Sequence, residues 1–204
     1  MNKLLFALHE CVDSGGFDVN LLDNLISDVG FIQECEVLDF KESIPKSDAE
    51  YAKTLRDLVA FHNSYGGFLV FGVKEVEKDR VFEISGLDGK IDVAKLRDNA
   101  KNYFDSEIRI CCQGYNVRER YVDVLWVDKR AQGRNPVKFK KNGPEEKPGK
   151  VAFKKDEIVF REIGNNAIAQ KPSDYEFLYS ERSGYIDDVG GGFYVGRMID
   201  NNLP

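Results

Sequence analysis

The sequence lacks any long hydrophobic run. Among its 204 residues, no apolar stretch approaches the ~18 residues that a membrane-spanning helix needs. The apolar run near the N-terminus, residues 4–8, ends at His9 after five residues, which is shorter than the hydrophobic region of a secretory signal. These absences argue against an integral membrane protein and predict a cytoplasmic protein with no membrane partner.

Cysteine and histidine are also scarce. The four cysteines have no zinc-type spacing, and the adjacent Cys111 and Cys112 point to opposite faces of a strand, which makes them poor disulfide partners. This pattern predicts free thiols in a reducing cytoplasm. Only two histidines are present, His9 and His62, which argues against a ribonuclease that uses a histidine pair. We expect His62 to be a packed or exposed residue at a helix end.

Positive charge is in the minority but is unevenly spread. The formal net charge is −6, which by itself argues against a protein that coats nucleic acid nonspecifically. Residues 1–33 carry five acids against Lys3, whereas residues 138–155 carry seven lysines against Glu145 and Glu146. This asymmetry indicates one side that faces a polyanion and another that faces solvent or a partner. The alternative, that these lysines only keep a loop soluble, stays open.

The hydrophobic patterns predict a mixed α/β protein in three parts. Residues 1–30 are predicted to form two short helices as an N-terminal extension, and residues 31–170 to form the main domain, a mixed sheet flanked by helices. Further strands are expected at 81–84, 108–114, 115–118, 121–127, 151–153 and 158–161, with a helix at 93–104 and a mobile basic loop at 140–150. The Tyr- and Gly-rich segment 171–204 is expected to be a tail or a linker to a further domain.

An acidic strand opens the main domain. In residues 34–41, Leu38 and Phe40 alternate with Asp39 and Lys41, which is typical of a strand with one buried face. Crowded carboxylates repel each other unless a cation or hydrogen-bond donors compensate. We therefore expect the polar face of this strand to offer an acid and a cation to a bound group.

A capped helix, a glycine turn and an apolar strand follow. Ser47 and Glu50 form a capping-box pattern, and the helix is expected to run to about His62. Gly66 and Gly67 predict a structural turn, because a phosphate-binding loop would also need a Walker lysine and a following helix. Residues 68–73 are almost wholly apolar, which predicts a strand covered on both faces.

These segments, in this order, resemble the Schlafen AlbA-like domain. The family has a strand that ends E-F-K, then A-F-A-N-T-x-G-G, an apolar strand that ends G-V, and a last strand Y-x-R-x-G-S-S-T-x-x-A. The corresponding segments here are 38–41 (LDFK), 60–67 (AFHNSYGG), 71–73 (FGV) and 159–169 (VFREIGNNAIA). The resemblance covers about residues 31–170.

The resemblance implies a nucleic-acid-binding domain, and in some members a metal-dependent endoribonuclease with a carboxylate triad. On this chain the triad falls on Glu34, Asp39 and Glu75, which would hold Mg²⁺ or Mn²⁺, with Glu36 and Glu77 as rivals. Asp39 replaces the usual glutamate, and Glu75 the usual aspartate. Lys41, on the face of Asp39, is expected to contact the scissile phosphate and to complete the catalytic set.

Three functions compete at this stage. The first is a metal-dependent endoribonuclease that acts on structured RNA such as tRNA and prefers RNA to DNA. It would need no small-molecule cofactor and would form a homodimer or higher homo-oligomer. It would be the effector module of a larger prokaryotic defence or regulatory protein. The others are a non-catalytic nucleic-acid-binding module and a protein-interaction scaffold. The residues expected to contact nucleic acid are Lys138, Lys140, Lys141, Lys150, Lys154, Lys155 and Arg161.

Overall fold

A mixed sheet with helices on both faces organises the chain. The computed structural model describes residues 3–27, 35–77, 81–162 and 164–180. The helices in these ranges are α1 (Lys3–Ser14), α2 (Val19–Ser27), α3 (Asp48–Asn63), α4 (Val93–Tyr103) and α5 (Pro172–Tyr179). The strands are β1 (Leu38–Lys41), β2 (Gly67–Phe71), β3 (Val73–Glu77), β4 (Val81–Ile84), β5 (Ile110–Val117), β6 (Arg120–Val127), β7 (Glu145–Lys147), β8 (Lys150–Val151), β9 (Val159–Glu162) and β10 (Asn165–Ile168).

The central sheet has the strand order β1-β2-β6-β5. Strands β1 and β2 run parallel, and they place Asp39 beside Leu69, whereas β2–β6 and β6–β5 are antiparallel. Three separate two-stranded ladders surround this sheet, formed by β3–β4, β7–β8 and β9–β10. The predicted mixed α/β fold is therefore confirmed.

Side-chain alternation along β2 divides the core into two layers. Phe68 and Val70 pack with the layer that contains α1 and α2, whereas Leu69 and Phe71 pack with the layer that contains α3 and α4. Every residue of β2 is buried, as expected for a strand covered on both faces. Both N-terminal helices contribute buried leucines to the first layer, so they pack on the sheet.

Helix α3 begins and ends where the sequence predicts. The Ser47 hydroxyl accepts a hydrogen bond from the Glu50 amide at 3.3 Å, and the Glu50 carboxylate accepts one from the Ser47 amide at 2.9 Å. This reciprocal pair satisfies two amide groups at the helix start. At the other end, the Asn63 side chain donates to the carbonyls of Val137 and Val159 at 2.8 and 2.9 Å, which ties α3 to two later segments.

The turn after α3 requires glycine at position 66. Gly66 has a φ of +75°, and a Cβ there would lie 2.7 Å from the Lys129 amide nitrogen and 2.9 Å from the Val127 carbonyl oxygen. We expect Gly66→Ala to lower the free energy of unfolding by about 2–4 kcal/mol, because backbone strain and a backbone clash add together.

Gly133 provides the matched control for this prediction. Its φ is +74°, but a Cβ there would meet nothing within 4 Å. Gly133→Ala should therefore cost only the strain, about 1–2 kcal/mol. Equilibrium denaturant unfolding of both variants separates the two contributions. Equal losses would contradict the clash.

Several predictions at element level are wrong. Strand β1 begins only at Leu38, because Cys35 and Leu38 close a tight turn through two backbone hydrogen bonds. The acid on its polar face, Asp39, is buried together with Leu38 and Phe40, whereas Lys41 is half-buried. The strands expected at 108–114 and 115–118 are one strand, β5.

The loop and the tail also differ from expectation. The segment expected to be a mobile basic loop contains the β7–β8 hairpin. Within the segment expected to be a tail, residues 172–179 form α5, which buries Phe177 and Leu178, whereas residues 181–204 lie outside the described ranges. No helix in the described ranges is both long enough and apolar enough to span a bilayer.

Candidate functional site

Asp39 and Lys41 lie on the same face of β1, two residues apart, as predicted. The Lys41 ammonium lies 2.9 Å from an oxygen of Asp39 and 3.1 Å from an oxygen of Asp57, which α3 brings to the same point. Asp39 and Asp57 are only 6% and 9% exposed, so neither carboxylate faces open water. Lys41, whose side chain is 34% exposed, therefore bridges two buried acids at the edge of the interior.

Arg161 of β9 approaches Asp39 from the other side. Its guanidinium lies 3.7 Å from an Asp39 oxygen and donates to the Asn166 side chain at 3.1 Å and to the Cys35 carbonyl at 3.0 Å. It also lies over the ring of Phe61 at 4.6 Å. The Arg161 side chain is only 2% exposed. We expected Arg161 among the surface contacts to nucleic acid, but the structure places it in the interior, bonded to protein acceptors.

These residues form one connected network. Asn166 closes it, because its side-chain amide donates to Asp57 at 2.5 Å while its oxygen accepts from Arg161. We call Asp39, Lys41, Asp57, Arg161 and Asn166 the ion cluster. Two carboxylates meet two cations there, so the carboxylate repulsion expected from the sequence is compensated within the protein.

In the ion cluster, burial and ion pairing shift the pKa values of Lys41 and Asp57 in opposite directions. Burial acts to lower the pKa of Lys41, but the carboxylates of Asp57 and Asp39 outweigh it and hold that pKa above its ordinary value. Burial raises the pKa of the Asp57 carboxyl, and the charge of Lys41 opposes this rise. Lys41 is therefore held in its charged form.

The other residues of the expected metal triad do not join Asp39 in the described structure. Glu34 lies outside the described residues, and Glu75 is exposed on β3, in the β3–β4 ladder. The rival Glu36 is 3% exposed and lies 3.9 Å from His9. The second rival, Glu77, ends β3, and only its backbone is described.

The described residues by themselves do not fit a divalent cation. Across the described ranges, no three histidine, cysteine or acidic side chains are grouped so as to hold a metal ion. The Asp39 oxygen that faces its neighbours is already engaged by Lys41 and Arg161. A triad of Glu34, Asp39 and Glu75 stays a prediction that depends on Glu34.

The predicted lysines lie on and around the β7–β8 hairpin. Lys138 is half-buried and lies 3.5 Å from Asp156. The six other lysines of this region are exposed. We call these six residues the lysine surface: Lys140, Lys141, Lys147, Lys150, Lys154 and Lys155. Of these six lysines, only Lys150 forms an ion pair with an acid in the described part of the chain, with Glu146 at 3.5 Å.

A groove of about 860 Å³ borders the lysine surface and brings three further cations to it. Arg97, Lys101 and Arg109 line this groove with Lys140, whose ammonium donates to the Lys101 carbonyl. Two acids, Asp105 and Glu107, line it as well. Sequence reasoning missed these cations, because they lie on α4 and just before β5, and only the fold places them beside Lys140.

Asp57 was also missed, although the sequence holds a signal for it. It lies on α3 between the buried residues Thr54, Leu58 and Phe61. An acid on the buried face of a helix needs a charged partner.

Of the two histidines, His62 packs at the end of α3, as predicted. Its Nδ1 lies 2.7 Å from the Asp128 carbonyl, and burial lowers the pKa of its imidazole.

Two of the solved structures that are similar to this chain illustrate the comparison. One is the DIP2311 protein of Corynebacterium diphtheriae, at 14% identity and a TM-score of 0.46, over 79% of this chain and 32% of that protein. This chain thus spans about a third of that protein's length. The other is the N-terminal domain of an ATP-dependent DNA helicase RecG-related protein of Nitrosomonas europaea, at 19% identity and a TM-score of 0.44, over 73% of this chain and 90% of that domain.

No curated protein matches the sequence. The sequence model of the family described as Schlafen, AlbA_2 matches residues 34–162, which is more than half of the chain. The match begins at Glu34 and ends at the last residue of β9, so it includes Asp39, Lys41, Asp57 and Arg161 of the ion cluster. The chain therefore belongs to the Schlafen AlbA_2 family.

Proposed function

We propose that this protein is a nucleic-acid-binding module that contacts phosphates through its lysine surface. Membership of the Schlafen AlbA_2 family supports a nucleic-acid-related domain. The observation that carries the proposal is the local charge: six exposed lysines lie within residues 140–155, and in the described structure acids neutralise only one of them. Lysine ammonium groups that are not neutralised attract the phosphate backbone and release its counterions on binding.

The adjoining groove extends this surface toward β5. Its four cations outnumber its two acids, so a phosphate backbone that leaves the hairpin meets further positive charge along α4. The overall charge of −6 resides elsewhere, including the acidic N-terminal helices. We also propose that RNA is preferred to DNA, and this preference rests on the family resemblance.

Binding should be strongly dependent on salt and independent of divalent ions. We would follow fluorescence anisotropy of labelled tRNA and of a labelled DNA single strand between about 50 and 200 mM salt. Six phosphate contacts predict a slope of about −4 to −5 in log K against log salt. EDTA should leave that slope unchanged. The absence of binding at the lowest salt, or affinity that does not change with salt, would overturn the proposal.

Metal-dependent RNA cleavage is the second candidate function. The supporting observation is that Asp39 and Lys41 meet at 2.9 Å on β1, at positions that match the family motif. Mg²⁺ or Mn²⁺ would supply charge neutralisation at a phosphodiester. Since the described acids alone do not fit such an ion, this candidate needs Glu34 and Glu75 to approach Asp39.

Glu75→Gln tests cleavage without disturbing the fold, because Glu75 is exposed on β3. If the triad acts, manganese should stimulate tRNA cleavage by the wild-type protein, and Glu75→Gln should reduce the rate by about 10²-fold or more. The exposed Glu83→Gln on neighbouring β4 is the matched control and should cleave at the wild-type rate. Absence of cleavage, or equal rates for all three proteins, would rule out this candidate and leave the binding proposal intact.

A further inference from the structure

Strand β5 is an edge strand with little of the usual protection against pairing. It ends the order β1-β2-β6-β5, and in the described part of the chain no strand pairs with its outer side. Natural edge strands carry lysines, prolines or bulges that prevent association with another strand. The eight residues of β5 (ICCQGYNV) contain no charge and no proline, and their register with β6 is unbroken over all eight pairs.

The hairpin between β5 and β6 determines which backbone groups point outward. Its two turn residues, Arg118 and Glu119, have φ values of 48° and 62°, as in a type I′ turn. Val117 and Arg120 then form a hydrogen-bonded pair, and hydrogen-bonded and outward-facing residues alternate along β5. The outward-facing residues are Ile110, Cys112, Gly114 and Asn116.

Two observed hydrogen bonds support this assignment. Arg97 donates to the Ile110 carbonyl at 2.7 Å, so this carbonyl points away from β6. Tyr121, which faces Asn116, accepts from the Leu87 amide at 2.8 Å, so its carbonyl points away from β5. The outer edge of β5 therefore presents a regular row of donors and acceptors, in which the Ile110 carbonyl already accepts two hydrogen bonds from Arg97.

We propose that β5 pairs antiparallel with β5 of a second copy of this chain, about a twofold axis at Gln113. In this register all four outward-facing residues meet outward-facing residues of the partner, Cys112 against Gly114 and Ile110 against Asn116. The Asn116 amide of the partner subunit then replaces Arg97 as the donor to the Ile110 carbonyl. Twofold registers centred on Cys112 or Gly114 pair only three of them. The two sheets become one continuous sheet. Because Arg97 and Ile110 also line the groove beside the lysine surface, the partner subunit would border that groove.

The side chains indicate a second copy rather than an unrelated strand. Strand β5 carries no charge, so its own copy places no like charges opposite each other, and the flanking Arg109 faces Val117 of the partner subunit. Cys111 and Tyr115 are half-buried on the same face of β5. In the proposed register Cys111 packs on Tyr115 of the partner subunit, which buries apolar surface that the described structure leaves partly exposed.

A cysteine pair on β5 tests the register. In the proposed register Gln113 lies opposite Gln113 of the partner subunit, so Gln113→Cys should form an intermolecular disulfide under mild oxidation. Asn116→Cys is the matched control, because Asn116 is equally exposed on the same strand but faces Ile110 of the partner subunit. It should remain uncrosslinked, as should the wild-type protein, whose Cys111 and Cys112 do not meet their own copies. Equal crosslinking of both variants would overturn the register.

The oligomeric state tests the interface itself. Sedimentation of the wild-type protein should show a dimer, and Gln113→Lys should raise its dissociation constant about tenfold or more, because two ammonium groups then face each other. Asn102→Lys on α4 adds the same charge at another exposed position and should leave the dimer unchanged. Circular dichroism would confirm that both variants fold. A monomeric wild-type protein, or a dimer that Gln113→Lys does not weaken, would overturn the proposal.

Discussion

Arg161→Met is expected to lower the free energy of unfolding by about 3–5 kcal/mol, which is the usual cost of removing one partner from a buried ion pair. Methionine keeps much of the side-chain volume but removes the guanidinium. Among the described residues, Asp39 then loses the second of its two cations, at 3.7 Å, and keeps only Lys41. The Asn166 oxygen loses its donor, and the Cys35 carbonyl keeps only the longer hydrogen bond from the Leu38 amide. Each buried acceptor left without a donor adds its own desolvation penalty.

Equilibrium unfolding in urea measures this loss, and Arg109→Met is the matched control. The Arg109 side chain is 78% exposed and lies 3.9 Å from Asp128, so its removal should change stability by less than about 1 kcal/mol. A double-mutant cycle with Asp39→Asn adds a second test. The double variant should lose less stability than the two single variants together, because the attraction between Arg161 and Asp39 can be lost only once. Additive losses would show that Arg161 and Asp39 do not stabilise each other.

Local patterns predicted the part of the ion cluster that lies on one strand. The alternation in residues 38–41 placed Asp39 and Lys41 on a common face, and the structure confirms it. The capping box predicted the start of α3 equally well. These predictions succeed because neighbouring residues produce both the pattern and the contact.

The remaining partners of Asp39 could not be read from local patterns. Asp57 and Arg161 come from α3 and β9, and only the tertiary fold brings their side chains to β1. Without these two partners, the sequence indicated a face that offers an acid and a cation to a bound group, whereas the structure has a compensated cluster whose carboxylates are buried. The groove cations on α4 were missed for the same reason.

The hairpin β7–β8 was missed because its strands are very short. Gly143-Pro144 and Pro148-Gly149 are loop signals, and they flank strands of three and two residues, which are too short to show a strand period. The resulting order matters for function. Lysines on a hairpin keep their positions relative to one another, which favours a regular row of phosphate contacts over diffuse attraction.

Replacing Lys147, Lys154 and Lys155 by glutamine should therefore weaken nucleic-acid binding strongly. All three side chains are exposed. Lys147 ends β7, and Lys154 and Lys155 lie in the segment between β8 and β9. Each phosphate contact contributes ~0.7–0.9 to the salt slope, so the loss of three should reduce the slope by about 2–3 and the affinity roughly 100-fold at about 0.1 M salt. Anisotropy titrations with labelled tRNA measure both quantities.

The control must change the net charge equally while sparing the lysine surface. Lys3, Lys46 and Lys53 are exposed on α1 or near the start of α3, and their replacement by glutamine also moves the formal net charge by three. If binding depends on position, this control keeps nearly the wild-type slope, because none of its lysines belongs to the row around the hairpin. If both triple variants lose affinity equally, overall charge alone governs attraction, and the lysine surface has no special part in binding.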